Sequence, residues 1–240
     1  RAKKSSAGYD LTRLLVGSEG TLGVITELRL KVHGIPEAIS SAVCSFATLE
    51  GAVATVIETI QAGVPVARIE LLDEVQMRAC IDFSKLDGFT AAPTLFFEFH
   101  GSTAGVAEQA ETAKALAEAN GGGAFHWASR AEDRNRLWQA RHDVYYAALG
   151  LRPGAKAIAT DVCVPISKLA DAVTAARRDI DASGLIAPIV GHVGDGNFHV
   201  QLMVDPDDAD EMRRAQAINA RMVDRALAVG GTCTGEHGVG

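Results

Sequence analysis

The chain has 240 residues, 48% hydrophobic and 22% charged. That is enough for one large or two small domains with packed cores, and it excludes disorder over the whole length. The formal net charge is -7, and beyond Arg1, Lys3 and Lys4 there is no basic block, so no nucleic-acid partner is expected. Cys44, Cys80, Cys163 and Cys233 are widely spaced without a CxxC pair, which argues against a disulfide scaffold. No apolar run approaches a membrane span, and no signal or transit segment is expected here. The chain does not begin with Met and stops within TCTGEHGVG, so it reads as a piece of a longer protein.

In chain order, GSEGTLG (17–23) places Gly17, Gly20 and Gly23 in a turn where backbone can approach a ligand closely. VITELRLKV then alternates as a half-buried strand does. A hairpin turn feeding an edge strand explains the same residues. HGIPE (33–37) marks a boundary. Strands are predicted over 40–47, 64–72, 92–100 and 123–129. Helices are predicted over 50–62 behind a Thr48 cap, over 73–81 and over 103–120. A single long helix is expected over 132–148. A strand over 156–162 precedes a helix opened by Pro165. Strands over 185–191 and 197–204 flank the turn GDG, and a last long helix runs from about Asp207 to Gly230. The alternation fits an α+β fold, an antiparallel sheet with helices on one face. No internal repeat is evident.

GHVGDGNFH (191–199) forbids a helix, but a strand, tight turn and returning strand can bring His192 and His199 to one point. Glu236 of GEHG is the best third ligand, and the set suits zinc, manganese or iron better than calcium. His237 could face a substrate as a base. Satisfied sheet histidines are the plain alternative. Trp138, Arg141, His142 and Tyr145 fall in the predicted long helix, where Arg141 and Tyr145 share a face at four-residue spacing. Arg141 and the following Lys156 suit a substrate carboxylate. A surface ion pair explains Arg141 equally. With a metal lowering the hydroxyl pKa and an unprotonated histidine taking the proton, the set suits a small 2-hydroxy acid and needs an organic electron acceptor. Phe96, Phe97 and Phe99 read as core, and no GxGxxG string indicates a nicotinamide cofactor.

The strings RAKKSSAGYDLTRLLVGSEGTLGVIT, PVARIELLDEV, APTLFFEFHGS, TDVCVPISKL, GHVGDGNFH and GTCTGEHGVG closely resemble the FAD-linked 2-hydroxy acid dehydrogenases, of the vanillyl-alcohol-oxidase type of flavoprotein. The resemblance covers almost the whole chain. It implies that residues 1–32 end an FAD-binding domain of VAO/PCMH type. It implies that 33–240 form a ferredoxin-like substrate- and metal-binding cap, cut short at its C-terminus. It places Gly17, Ser18, Glu19, Gly20, Thr21, Gly23, Val24 and Ile25 against FAD, and a zinc or manganese ion on His192, His199 and Glu236. It makes Arg141, Lys156 and His237 catalytic, with Tyr145 and Gln201 beside them in the substrate pocket. The implied reaction is oxidation of D-lactate or a similar D-2-hydroxy acid to the 2-keto acid, by metal-assisted proton abstraction and hydride transfer to FAD. Electrons pass to cytochrome c, a quinone or an electron-transfer flavoprotein. Glycolate and D-2-hydroxyglutarate are the alternative substrates within the family. A flavin-independent metallohydrolase and a non-catalytic binding module are the readings outside it. The resemblance implies a mitochondrial site in a eukaryote, and the cytoplasm or the inner-membrane surface in a bacterium. It permits peripheral membrane association and a homodimer, and it implies that this segment alone is inactive.

Overall fold

The computed structural model describes residues 4–86, 88–128 and 130–239. Ser129, the end of one predicted strand, lies outside them, as do Arg1 and Lys3. The chain divides into two units, Arg1–Ile35 with Glu236–Gly240, and Pro36–Gly235. Among the described residues no helix is long and apolar enough to cross a membrane.

The first unit holds one short helix, α1 (Leu11–Leu15), capped by the Asp10 side chain. The glycine turn follows, with Gly17, Glu19 and Gly20 at positive φ (80°, 48° and 79°). The Thr21 backbone N–H and hydroxyl both donate to the Ser18 carbonyl, at 2.9 and 2.6 Å. The alternating stretch after it forms no strand. Val24, Leu28, Leu30 and Val32 are exposed. Alternation states which side chains would share a face, but a strand exists only where a neighbour completes its ladder. Residues 24–32 have no such neighbour among the described residues.

The second unit is built on one antiparallel sheet. Its first run is β1 (Ala38–Ser45), α2 (Leu49–Gln61), β2 (Arg68–Leu72), α3 (Glu74–Ser84), β3 (Thr94–Gly101), α4 (Thr103–Ala119) and β4 (His126–Ala128). Local chemistry starts the helices: the Thr48, Asp73 and Ser102 side chains accept from the backbone N–H of Gly51, Gln76 and Gly105. Sheet order β4-β1-β3-β2 is the ferredoxin-like arrangement, with α3 inserted.

Next come α5 (Ala131–His142) and α6 (Val144–Leu149), then β5 (Lys156–Ala159), β6 (Val162–Cys163), α7 (Leu169–Ser183), β7 (Ile189–Gly191), β8 (Asn197–Val204) and α8 (Ala209–Ala228). β7 pairs with β2, so the second run extends the same sheet as β2-β7-β8-β5, with β6 also on β8. The strand–helix–strand–strand–helix order of the first run recurs here. This structural repeat leaves no trace as repeated residues. The single long helix expected over 132–148 is two helices, interrupted at Asp143 (φ -83°, ψ 6°).

Alternation along the strands makes two cores. One face sends Cys44, Ile69, Phe97, Val200 and Leu202 against α2, α4, α7 and α8, through Val53, Ala113, Val173 and Ile218. The opposite face sends Val43, Leu72, Phe96 and Val190 against α3, α5 and α6, through Met77, Trp138 and Val144. Helices therefore flank both faces and not one. The reason is in the strands: β1, β2, β3 and β7 carry apolar residues at both parities, and both sides need cover.

Candidate functional site

His192 follows β7 directly and His199 lies within β8, paired with Val190. The turn between them is a short 3-10 segment, Val193–Asp195, closed by Gly196 at φ 79°. A side chain at Gly196 would collide with the Val164 carbonyl, so close approach and positive φ both require glycine there. Gly194 is not at positive φ, so within this turn only Gly196 takes the left-handed conformation.

The two rings stand edge to face with centroids 6.0 Å apart. His199 Nδ1 donates to the Thr160 carbonyl at 3.0 Å, and Thr160 also accepts from Val200 N through its hydroxyl. His192 Nδ1 bonds Glu70 Oε1 at 2.8 Å. Carbonyl and carboxylate oxygens only accept, so both rings carry a hydrogen on Nδ1.

Glu236 follows Gly235, which packs against the Asn197 side chain. That approach is held from below by Asp161, which accepts from Asn197 Nδ2 (2.7 Å) and from the Thr234 hydroxyl (2.6 Å). His192, His199 and Glu236 form a candidate metal group, with one ligand atom from each all within 4.8 Å of one another. Neighbouring ligands of a tetrahedral centre with bonds of about 2.1 Å sit about 3.4 Å apart. Two imidazole nitrogens and one carboxylate are a donor set chemically suited to a divalent ion such as zinc or manganese. His237 is exposed, with Nε2 3.5 Å from Glu236 Oε1.

Arg141 ends α5 and is 9% exposed. Its Nε and Nη2 both donate to Glu70 Oε2, at 3.2 and 2.8 Å. It is thus neither on a surface nor paired along its helix: its partner is a carboxylate in the middle of β2. Arg141, Glu70 and His192 line a cavity of about 430 Å³, together with Arg68, Trp138 and His142. Arg68 lies 4.2 Å above the Trp138 ring and donates twice to Glu98. Burial pushes the Glu98 carboxyl up, but bonding to Arg68 and His100 outweighs it and the net shift is downward.

The remaining substrate candidates are not gathered here. Lys156 pairs with Val204, so alternation puts it on the face of Leu202 and Val204, opposite His199. Tyr145 is on α6, beyond the break, so its four-residue spacing from Arg141 is not continuous helix; it is half exposed against Tyr146. Gln201 is buried two residues after His199 and shares its face, and its Oε1 has no partner among the described residues. Glu70, Thr160 and Asp161 were not singled out from the sequence. Glu70 carried a signal, as a lone charge inside the apolar string RIELL.

An antiparallel sheet of ferredoxin-like runs, presenting paired imidazoles beside a cavity lined by Arg68, Arg141, Glu70 and Asp195, defines an α+β domain with a candidate metal group. FAD linked oxidases, C-terminal domain, is the family matched, over residues 35–240, and the chain belongs to it. It is 51% identical to "Probable D-lactate dehydrogenase, mitochondrial" of Danio rerio, over all of this chain and 48% of that protein. It is 46% identical to "D-lactate dehydrogenase [cytochrome], mitochondrial" of Arabidopsis thaliana, over all of this chain and 42% of that protein. The chain thus spans less than half the length of these relatives. The solved structure of alkyldihydroxyacetonephosphate synthase superposes with a TM-score of 0.64 at 18% identity, covering 93% of this chain and 46% of that one, which establishes the shared fold.

Proposed function

We propose that this chain is the substrate- and metal-binding part of an FAD-dependent D-2-hydroxy acid dehydrogenase that oxidises D-lactate to the 2-keto acid. The observation that carries the reading is the group His192, His199 and Glu236, with His192 also lining the cavity that holds Arg141. The relatives named D-lactate dehydrogenase support the substrate, and the words "cytochrome" and "mitochondrial" in those names support cytochrome c as acceptor and a mitochondrial location.

Arg141 receives the substrate carboxylate with the N–H groups that Glu70 does not use. Gln201, with its unpartnered buried oxygen, accepts from an ordered water beside the substrate. His192, His199 and Glu236 would hold a zinc or manganese ion, which would supply Lewis-acid polarisation of the substrate hydroxyl. His237 takes the hydroxyl proton as general base. FAD, when bound, would accept the carbon-bound hydrogen together with its two electrons as hydride. The turn from Gly17 to Gly23, with Val24 and Ile25, lies against FAD in this reading. Its support is that Gly17, Gly20 and Gly23 have open space where a side chain would be, which admits close approach of a ligand to backbone. Residues 1–32 then belong to the FAD-binding domain and 33–240 to the cap. Lys156 and Tyr145 have no assigned part.

The test is anaerobic reduction of bound flavin by D-lactate in the full-length protein, with metal analysis, for wild type and His199→Ala. The reading expects bleaching in wild type and loss of both metal and bleaching in the variant. A variant that keeps its metal, or a wild type that D-lactate does not reduce, overturns it.

A further inference from the structure

We infer that Glu70 is a positioning residue that holds His192 and Arg141 in one arrangement, so that the metal site and the anion site are set together; this rests on the metal-site reading above. Glu70 is 6% exposed at the centre of β2, opposite Phe96 and two residues before Leu72. On that face its strand neighbours are Leu72 on one side and Arg68 on the other, and Arg68 is already paired with Glu98. A buried carboxylate persists where its oxygens are bonded. Here the two oxygens serve different masters: Oε2 takes Nε and Nη2 of Arg141, and Oε1 takes Nδ1 of His192.

Each bond restricts its partner in a way the proposed chemistry needs. The bond to Nδ1 keeps the hydrogen on that nitrogen, fixes the ring plane and raises the basicity of Nε2 as a ligand. The two hydrogen bonds that Arg141 donates to Oε2 hold the guanidinium by one edge. Two of its five N–H groups are committed, and no acceptor other than Glu70 bonds it among the described residues. Arg141 also lines the cavity beside His192. One rigid strand residue thereby sets both the imidazole and the guanidinium, in place of two flexible side chains held separately.

The test uses the full-length protein, with Mn²⁺ titrated against the free-ion electron paramagnetic resonance signal and D-lactate kinetics measured in parallel. Glu70→Gln keeps the shape and removes the charge. It should weaken Mn²⁺ binding by about 10- to 100-fold, the effect usual for a residue behind a metal ligand, and raise KM for D-lactate with an unchanged circular dichroism spectrum. Glu70→Asp, which keeps the charge, should recover part of the Mn²⁺ affinity. Wild-type Mn²⁺ affinity and KM in a folded Glu70→Gln overturn the inference. His199→Ala separates the two levels: if it too keeps Mn²⁺, the metal-site reading fails, and if it loses Mn²⁺ while Glu70→Gln does not, only the role of Glu70 fails. Should Glu70→Gln not fold, Arg141→Lys decides, because Arg141 bonds Glu70 and no metal ligand. Weakened Mn²⁺ binding there supports the coupling, and unchanged binding overturns it.

Discussion

Arg141 at the end of α5 and Glu70 in the middle of β2 are joined by two hydrogen bonds to one carboxylate oxygen, with both side chains buried. The pair ties the helix over one face of the sheet to the strand beneath it. Removing Arg141 leaves the Glu70 charge buried without a guanidinium, with only the His192 ring bonded to it among the described residues. Arg141→Met should therefore destabilise the protein by about 3–5 kcal/mol. The double change Glu70→Leu with Arg141→Met should recover most of that loss, since an apolar pair of similar volume removes both charges from the interior. Urea unfolding of the single and double variants measures this, and a double variant no more stable than Arg141→Met would show that the pair is not what Arg141 contributes.

Asp73 caps α3 and is 1% exposed. Burial pushes its carboxyl up to about 6, against the opposing pull of the Gln76 N–H and Arg177. The folded state then holds a proton that the unfolded chain, with a carboxyl near about 4, has released. Stability from this group is greatest at low pH and falls as pH rises from about 4 to about 6, by about 3 kcal/mol in all. Asn keeps the capping oxygen without the charge, so Asp73→Asn should be flatter across that window. Urea midpoints at about pH 4.5 and about pH 6.5 decide it, and an identical slope in both proteins excludes Asp73 as the source.

Gly196 and Gly194 flank Asp195 but differ physically. Gly196 sits at φ 79° with a side-chain position filled by the Val164 carbonyl, whereas a side chain at Gly194 would stand 3.7 Å from Ile69 N, ordinary contact. Gly196→Ala should lower stability by about 1–3 kcal/mol or more from backbone strain alone, and Gly194→Ala by much less. Thermal melts of the two variants give the comparison. Equal losses would mean that the turn between the histidines is not held by the conformation of Gly196.

The arrangement of elements was legible because its causes are local. Thr48, Asp73 and Ser102 announce three helix starts by capping, and β8 runs over 197–204 as its pattern indicates. The interruption at Asp143 was not legible, since the residues on either side suit helix equally well. The strand expected after GSEGTLG was a case where pattern and outcome diverged, because alternation cannot provide a pairing partner.

His192, His199 and Glu236 were legible as candidate ligands because imidazole and carboxylate in glycine-bounded turns announce their chemistry through residue type and short spacing. Arg141 was identifiable as a charge, but its partner was not, because 71 positions separate it from Glu70. Lys156 shows the opposite limit: a suitable residue type, carried by the register of β5 on β8 to the face away from His199. Residue chemistry and short-range periodicity are properties of the chain and can be read from it. Which face a charge occupies, and which carboxylate meets it, are settled only when distant strands take their register, because packing and hydrogen-bond satisfaction act between segments and not along one.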